Sequence, residues 1–182
     1  INGHDIQSFS DIKRVLVLTE YGKDLSIKIS KDELYVWLQN ACDIYLFARV
    51  PKFSRSLARQ EASLAKYYVI DNGLRNAVIP VQSDDDGKQL ENAVYLELRR
   101  RLGAQGTICY CQNEGECDFV VCEEERVRRL IQVAWTISGE DDESRKTYRR
   151  EVRGLVEAAE KLGCEDLLIV THDEEMDVKE GG

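Results

Sequence analysis

A chain of 182 residues that is 43% hydrophobic can bury one good core, or one core with a small satellite unit beside it. With 34 acidic against 25 basic side chains its formal charge is −9, which repels a phosphate backbone on average, so any nucleic-acid contact has to be local. Apolar runs such as LLIV at 167–170 fall far short of the roughly 20 residues a membrane helix needs, so no spanning helix follows and no membrane partner is expected.

The amino terminus starts at Ile1 with no charged-then-apolar leader, so it reads as a chain cut from something longer. Ile12, Val15, Leu16 and Thr19 have helical spacing, although RVLVLTEY also reads as an extended strand. After a turn at Gly22, Ser30 precedes KDELYVWLQNAC with Glu33 as its capping-box partner. Leu34, Trp37, Leu38 and Ala41 then form the apolar stripe of an amphipathic helix. Two strand-like runs follow, IYLFARV at 44–50 and KYYVI at 66–70, joined by the basic KFSRSLARQEASLA. Helix, turn, helix and ribbon is the order of a winged helix.

Asn72 and Gly73 supply turn chemistry, and the loop with Pro80 and the acids Asp84, Asp85 and Asp86 is the expected boundary between domains 1–80 and 81–182. Beyond it the pattern is α/β. LENAVYLELRRRL is helical, with Leu90, Ala93, Val94, Glu97, Leu98 and Leu102 on one mostly apolar face. TICYCQ, the turn NEGE and CDFVVCEE form a hairpin, and RLIQVAWTI at 129–137 is a third strand. A charged helix over 143–162 carries Tyr148, Val152, Leu155, Val156 and Ala159 on one side and stops at Gly163. DLLIVT follows as a buried strand.

Six cysteines, Cys42, Cys109, Cys111, Cys117, Cys122 and Cys164, lack the paired Cys-x-x-Cys spacing of zinc sites, and alternation puts Cys109 and Cys111 on one strand face. Buried reduced thiols in a reducing cytoplasm are the expectation. Basic residues cluster at 49–59, 99–101 and 145–153, two of these clusters on expected helices where a solvated face is the usual reading, with Arg55, Arg59, Arg99, Arg100 and Arg101 as the candidates for nucleic-acid contact. No phosphate-cradling G-x-x-x-x-G-K-[ST] loop is present. His172 reads as a loop residue, because no Ser or Cys sits in a nucleophile elbow and His4 is its only companion.

Cleavage of a phosphodiester with a divalent metal needs carboxylates brought together from neighbouring elements, and usually a Lys that orients or activates the attacking water. Asp118 at the start of the second hairpin strand, Glu91 on the preceding helix and Gln132 on the third strand form such a set, with Gln132 and Ala134 on one strand face. Taken with KYYVIDNGLRNAV and LENAVYLELRRR, the phrases ECDFVV and IQVAW resemble the PD-(D/E)XK nuclease superfamily. More narrowly, they resemble the uncharacterised carboxy-terminal domain of archaeal and bacterial AAA-type ATPases, from about Ser30 onward.

That resemblance implies a restriction-endonuclease-like mixed sheet flanked by helices, a winged-helix segment before it, and an ATPase module upstream in the same protein. It assigns Asp118, Glu91 and Gln132 to the catalytic and metal set, with Mg2+ or Mn2+ as the cation. Where active members carry Glu or Gln, any residue and then Lys, this chain has Gln132, Val133 and Ala134. The expectation is therefore a cytoplasmic accessory module with a degenerate site, regulating its ATPase or docking nucleic acid or a protein partner. The alternatives are a metal-dependent DNA or RNA nuclease using a Lys from elsewhere, Lys88 being nearest, and an acidic protein-interaction domain.

Overall fold

A computed structural model describes residues 30–78, 86–104, 106–112, 116–136 and 142–172. The chain divides into two compact units, Ile1–Lys88 and Gln89–Gly182, and the division falls downstream of Pro80, in the first turn of a helix. Among the described residues no helix is long and apolar enough to cross a membrane. The expected element over 12–19 lies outside the described residues, and with it the leading helix of the winged-helix expectation.

In the first unit α1 (Lys31–Asp43) starts as its capping box requires: Ser30 N–H donates to Glu33 Oε2 at 2.8 Å and Glu33 N–H to Ser30 Oγ at 3.2 Å. Leu34 and Leu38 are its buried residues. The strand expected from residue 44 begins only at β1 (Phe47–Val50). The reason is that the N–H groups of Ile44, Tyr45 and Leu46 are used to close α1, donating to the carbonyls of Asn40, Cys42 and Ala41. β1 pairs antiparallel with β2 (Lys66–Val69), and the short helix α2 (Leu57–Ala62) lies between them in sequence. Asn72 and Gly73 open a helix, α3 (Asn72–Val78), where a turn was expected, because Asp71 Oδ1 accepts the Leu74 N–H at 3.0 Å and so satisfies its first turn.

The second unit is a mixed α/β layer structure. Its elements are α4 (Asp86–Leu102), β3 (Gly106–Cys111), β4 (Cys117–Glu123), β5 (Arg126–Val133), α5 (Asp142–Leu162) and β6 (Leu167–Val170). The sheet order is β3-β4-β5-β6. The first three strands form an antiparallel meander, and β6 runs parallel to β5. A parallel neighbour needs a crossover, and α5 supplies it.

Phe119 of β4 pairs with Ile131 of β5, which pairs with Leu168 of β6. The Tyr95 ring of α4 lies 6.3 Å from that of Phe119, so α4 covers this face. On the other face, Val120 and Leu130 face Val152, Leu155, Ala159 and Leu162 of α5, all of them buried. Gly163, at φ +68°, ends α5 as expected, and its N–H and that of Cys164 both donate to the Ala159 carbonyl.

One expectation fails here for a local reason. LLIV is not buried: Leu167 and Leu168 are 37% and 40% exposed, because β6 is the last strand of the sheet and α4 leaves a cleft of about 370 Å³ over Ile131, Leu168 and Val170. The third strand ends at Val133, although Ala134 still donates its N–H to the Val170 carbonyl; residue 137, the expected end, lies outside the described residues.

The β4–β5 turn carries no glycine or asparagine. It is made by Glu124 and Glu125, at φ 51° and 64°. Two consecutive positive φ values suit the right-handed twist of a hairpin but cost a non-glycine residue about 1 kcal/mol each. Glu125→Gly therefore raises the stability of this unit by about 1 kcal/mol in a urea titration, and an unchanged midpoint would remove the turn-strain argument.

Candidate functional site

Asp118 is the second residue of β4 and lies one step beyond Phe119–Ile131, where the paired register of β4 and β5 begins. Side chains continue the ladder from there. The Asp118 N–H donates to Gln132 Oε1 at 3.2 Å, and Asp118 Oδ2 accepts the Val133 N–H at 3.0 Å. Gln132, only 6% exposed, turns its Nε2 toward α5 and donates to Glu151 Oε2 at 2.6 Å. The other oxygen of Glu151 accepts from Arg150 Nη2 at 2.5 Å and Nε at 3.2 Å, and this hydrogen bonding raises the Arg150 guanidinium above its ordinary pKa. Arg150, Glu151, Gln132 and Asp118 thus form one chain of bonds from the helix surface to the strand ends.

The chemistry of that chain depends on an amide at 132. Gln132 accepts on one side and donates on the other, which a carboxylate cannot do. Its oxygen accepts the Asp118 N–H, and its nitrogen is no metal ligand. Ala134 is buried and bonded through its N–H to the Val170 carbonyl, so the position where the resemblance looks for an ammonium offers a methyl group.

The structure brings Asp118 and Gln132 together as the sequence led one to expect. Glu91 sits part-buried on α4, beside the fully buried Asn92, and Lys88 lies one turn before it. Among the described residues no group of three or more His, Cys, Asp and Glu is arranged to hold a metal ion.

Glu151 was missed by sequence reasoning. The available signal was a single acid inside the basic run RKTYRREVR at 145–153. A second signal lay three residues on, where Gly154 interrupts a helix. Its carbonyl accepts the Glu116 N–H at 3.0 Å, and a Cβ there would stand 3.2 Å from the Glu116 carbonyl oxygen. α5 and the segment leading into Asp118 meet backbone to backbone, which only glycine permits without displacement.

At the same end of the sheet the His172 ring stacks on the Trp135 indole, with centroids 4.1 Å apart, and the His172 N–H donates to the Trp135 carbonyl. A shallow groove of about 610 Å³ lies between Gln112 and Glu116 of the hairpin and Arg149, Arg153, Glu157 and Lys161 of α5. Its charges are mixed in sign.

Three of the five arginines expected to meet nucleic acid are engaged within the protein. Arg99 Nη1 closes α4, donating to the carbonyls of Gly103 and Gly106 at 3.1 and 3.3 Å. Arg100 and Arg101 both hold Glu97, each with a contact of 2.6 Å. Arg55 and Arg59 are exposed in the first unit.

Hydrogen bonds from Arg100 and then Arg101 hold the Glu97 carboxyl down to about 2. A depressed carboxylate stabilises the fold above its unfolded value, about 4.3, and the contribution is lost as pH falls through the folded value. We expect the Glu97 side-chain carbon shift to titrate near pH 2 rather than near pH 4; a midpoint at about 4.3 would mean that both arginines are disengaged in solution.

A comparison with protein families gives no match, and no solved structure matches the chain. The chain is similar to the uncharacterised protein MJ1544 of Methanocaldococcus jannaschii, with 29% identity over 192 aligned positions. That alignment takes in 96% of this chain and 41% of the relative, so the chain spans about two fifths of the length of the curated relative it matches.

Proposed function

We propose that this chain is a cytoplasmic accessory module of a prokaryotic ATPase, with a nuclease-like fold whose cation site has become a hydrogen-bonded clasp. In this reading it regulates its ATPase or docks nucleic acid or a protein partner and does not cut. The observation that carries the reading is Gln132. Its oxygen and nitrogen are both bonded, to Asp118 and Glu151, and a buried Ala134 stands where an ammonium would stabilise developing charge.

The mixed four-stranded sheet, covered by α4 on one face and α5 on the other, fits the restriction-endonuclease-like expectation. The attached ATPase rests on the resemblance of the sequence phrases, and the greater length of the archaeal relative leaves room for a further module in proteins of that kind. Fold alone does not assign a function, so the test addresses the site.

Calorimetry with Mn2+ and Mg2+ is run on the wild type and on Asp118→Ala, followed by incubation of both with single- and double-stranded DNA. We expect no cation binding that depends on Asp118, and no cleavage. Binding lost in Asp118→Ala together with cleavage by the wild type would replace this reading with that of a metal-dependent nuclease. The Glu151 carboxylate bonded to Gln132 Nε2, and the Asp118 carboxylate on the adjoining Val133 N–H, are what favour that second reading. A docking role for nucleic acid further predicts binding that weakens with salt.

A further inference from the structure

Five of the six cysteines lie in the second unit, and all six are free thiols. Their positions on the strands are not equivalent. Cys111 and Cys117 are direct register partners across the β3–β4 pair, beyond a register shift that places one extra residue on β4 between Val120 and Cys117. Their side chains share a hydrogen bond, and both are buried.

Direct partners in an antiparallel pair have Cα atoms about 4.5–5.5 Å apart, inside the range a disulfide spans. Cys109 and Cys122, by contrast, face Val120 and Thr107, so they are diagonal neighbours. Diagonal Cα atoms stand about 7–8 Å apart, beyond disulfide reach without backbone movement. Cys164 lies on no strand and gives its thiol to the Asp166 carbonyl at 3.6 Å.

We propose that Cys111 and Cys117 are a built-in dithiol that closes to a reversible disulfide, a staple at the mouth of the β3–β4 hairpin one residue before Asp118. The inference does not depend on the functional reading above. The oxidant is a small disulfide. One cysteine thiolate attacks it and expels the first small thiolate, leaving a mixed disulfide. The second cysteine thiolate then attacks the protein sulfur of that mixed disulfide and expels the second small thiolate. The S–S bond of the small molecule is reduced, two protein thiols are oxidised, and their two protons end on the two released thiols.

Contact with Cys111 and burial both push the Cys117 thiol up, so little thiolate is present while the hairpin is closed. Exchange therefore waits for the hairpin mouth to open, and closure is slow but directed to this pair. The staple would tie the end of β3 to the start of β4, next to Glu116, which meets Gly154 of α5.

The test incubates the full chain at low concentration with oxidised glutathione, blocks remaining thiols with an alkylating agent and digests after glutamates. Cleavage after Glu97, Glu114, Glu116 and Glu123 separates the peptide holding Cys109 and Cys111 from the one holding Cys117 and Cys122. We expect an intact mass lower by two hydrogens and these two peptides joined, in the wild type and equally in Cys109→Ala and Cys122→Ala. The joined product should vanish in Cys111→Ser and Cys117→Ser, and fragmentation of the wild-type product should place the bond at Cys111 and Cys117 even if a serine variant fails to fold. No joined peptide in the wild type, or a bond mapped to Cys109, Cys122 or Cys164, overturns the proposal.

Discussion

Replacing Phe119 by alanine should lower the stability of the second unit by about 4 kcal/mol, the range for a large aromatic removed from a packed interior. Phe119 has no exposed surface, pairs with Ile131 at the centre of the sheet and lies under Tyr95 of α4. Truncation removes the contact that seats α4 and leaves a cavity that neighbouring strands, held by backbone bonds on both sides, cannot close. The residue is adjacent to Asp118, so the Asp118–Val133 bond should loosen with it. Hydrogen exchange at the amides of β4 and β5 checks this, and a loss under about 1 kcal/mol would mean that α4 is not seated on this face.

Gln132→Glu should destabilise the same unit by about 3 kcal/mol at pH 7. The substitution changes one atom and reverses a bond: where Nε2 donates to Glu151 at 2.6 Å, two carboxylate oxygens would face each other. Like charges at that distance cannot both ionise, so one of the pair takes up a proton with a strongly raised pKa. A raised carboxylate pKa means that the folded form binds a proton the unfolded chain has released. The deficit is therefore small below about pH 4 and grows as pH rises toward the folded pKa. Thermal unfolding of wild type and variant at pH 4 and pH 7 measures it.

The same variant bears on function, since two carboxylates would then meet where position 132 faces Glu151. Added Mn2+ should restore stability to Gln132→Glu at pH 7 while leaving the wild type unchanged. Equal stability of the two proteins at pH 7 would show that the clasp does not persist in solution, and an equal response of both to Mn2+ would show that the native site already accepts a cation. Gln132→Met, of similar volume, would still strip Glu151 and the Asp118 N–H of a partner, so a cost of about 2 kcal/mol is expected.

Much of the architecture was legible because it is written in short-range terms. The Ser30–Glu33 box, the stripe of Val152, Leu155 and Ala159 and the stop at Gly163 each depend on residues within a few positions of one another. The α/β order of the second unit followed from the same periodicities. Where the reading went astray, a partner distant in sequence or an unusual backbone intervened. Asn72 and Gly73 look like a turn until Asp71 caps a helix with them, and LLIV looks buried until its place at the sheet edge is known. The Glu124–Glu125 turn adopts positive φ without the residues that usually announce it, because the two strands it joins fix the geometry.

For the candidate site the division is sharper. The residues alone determined that Asp118 and Gln132 stand on neighbouring strands and that no ammonium follows at 134. Only the tertiary structure decided what Gln132 does, because its state depends on which side chain α5 delivers to it across 19 positions of sequence, and that side chain is Glu151. An amide placed between a carboxylate and a backbone N–H satisfies both. That pairing through space, which no local pattern encodes, makes this strand end a clasp.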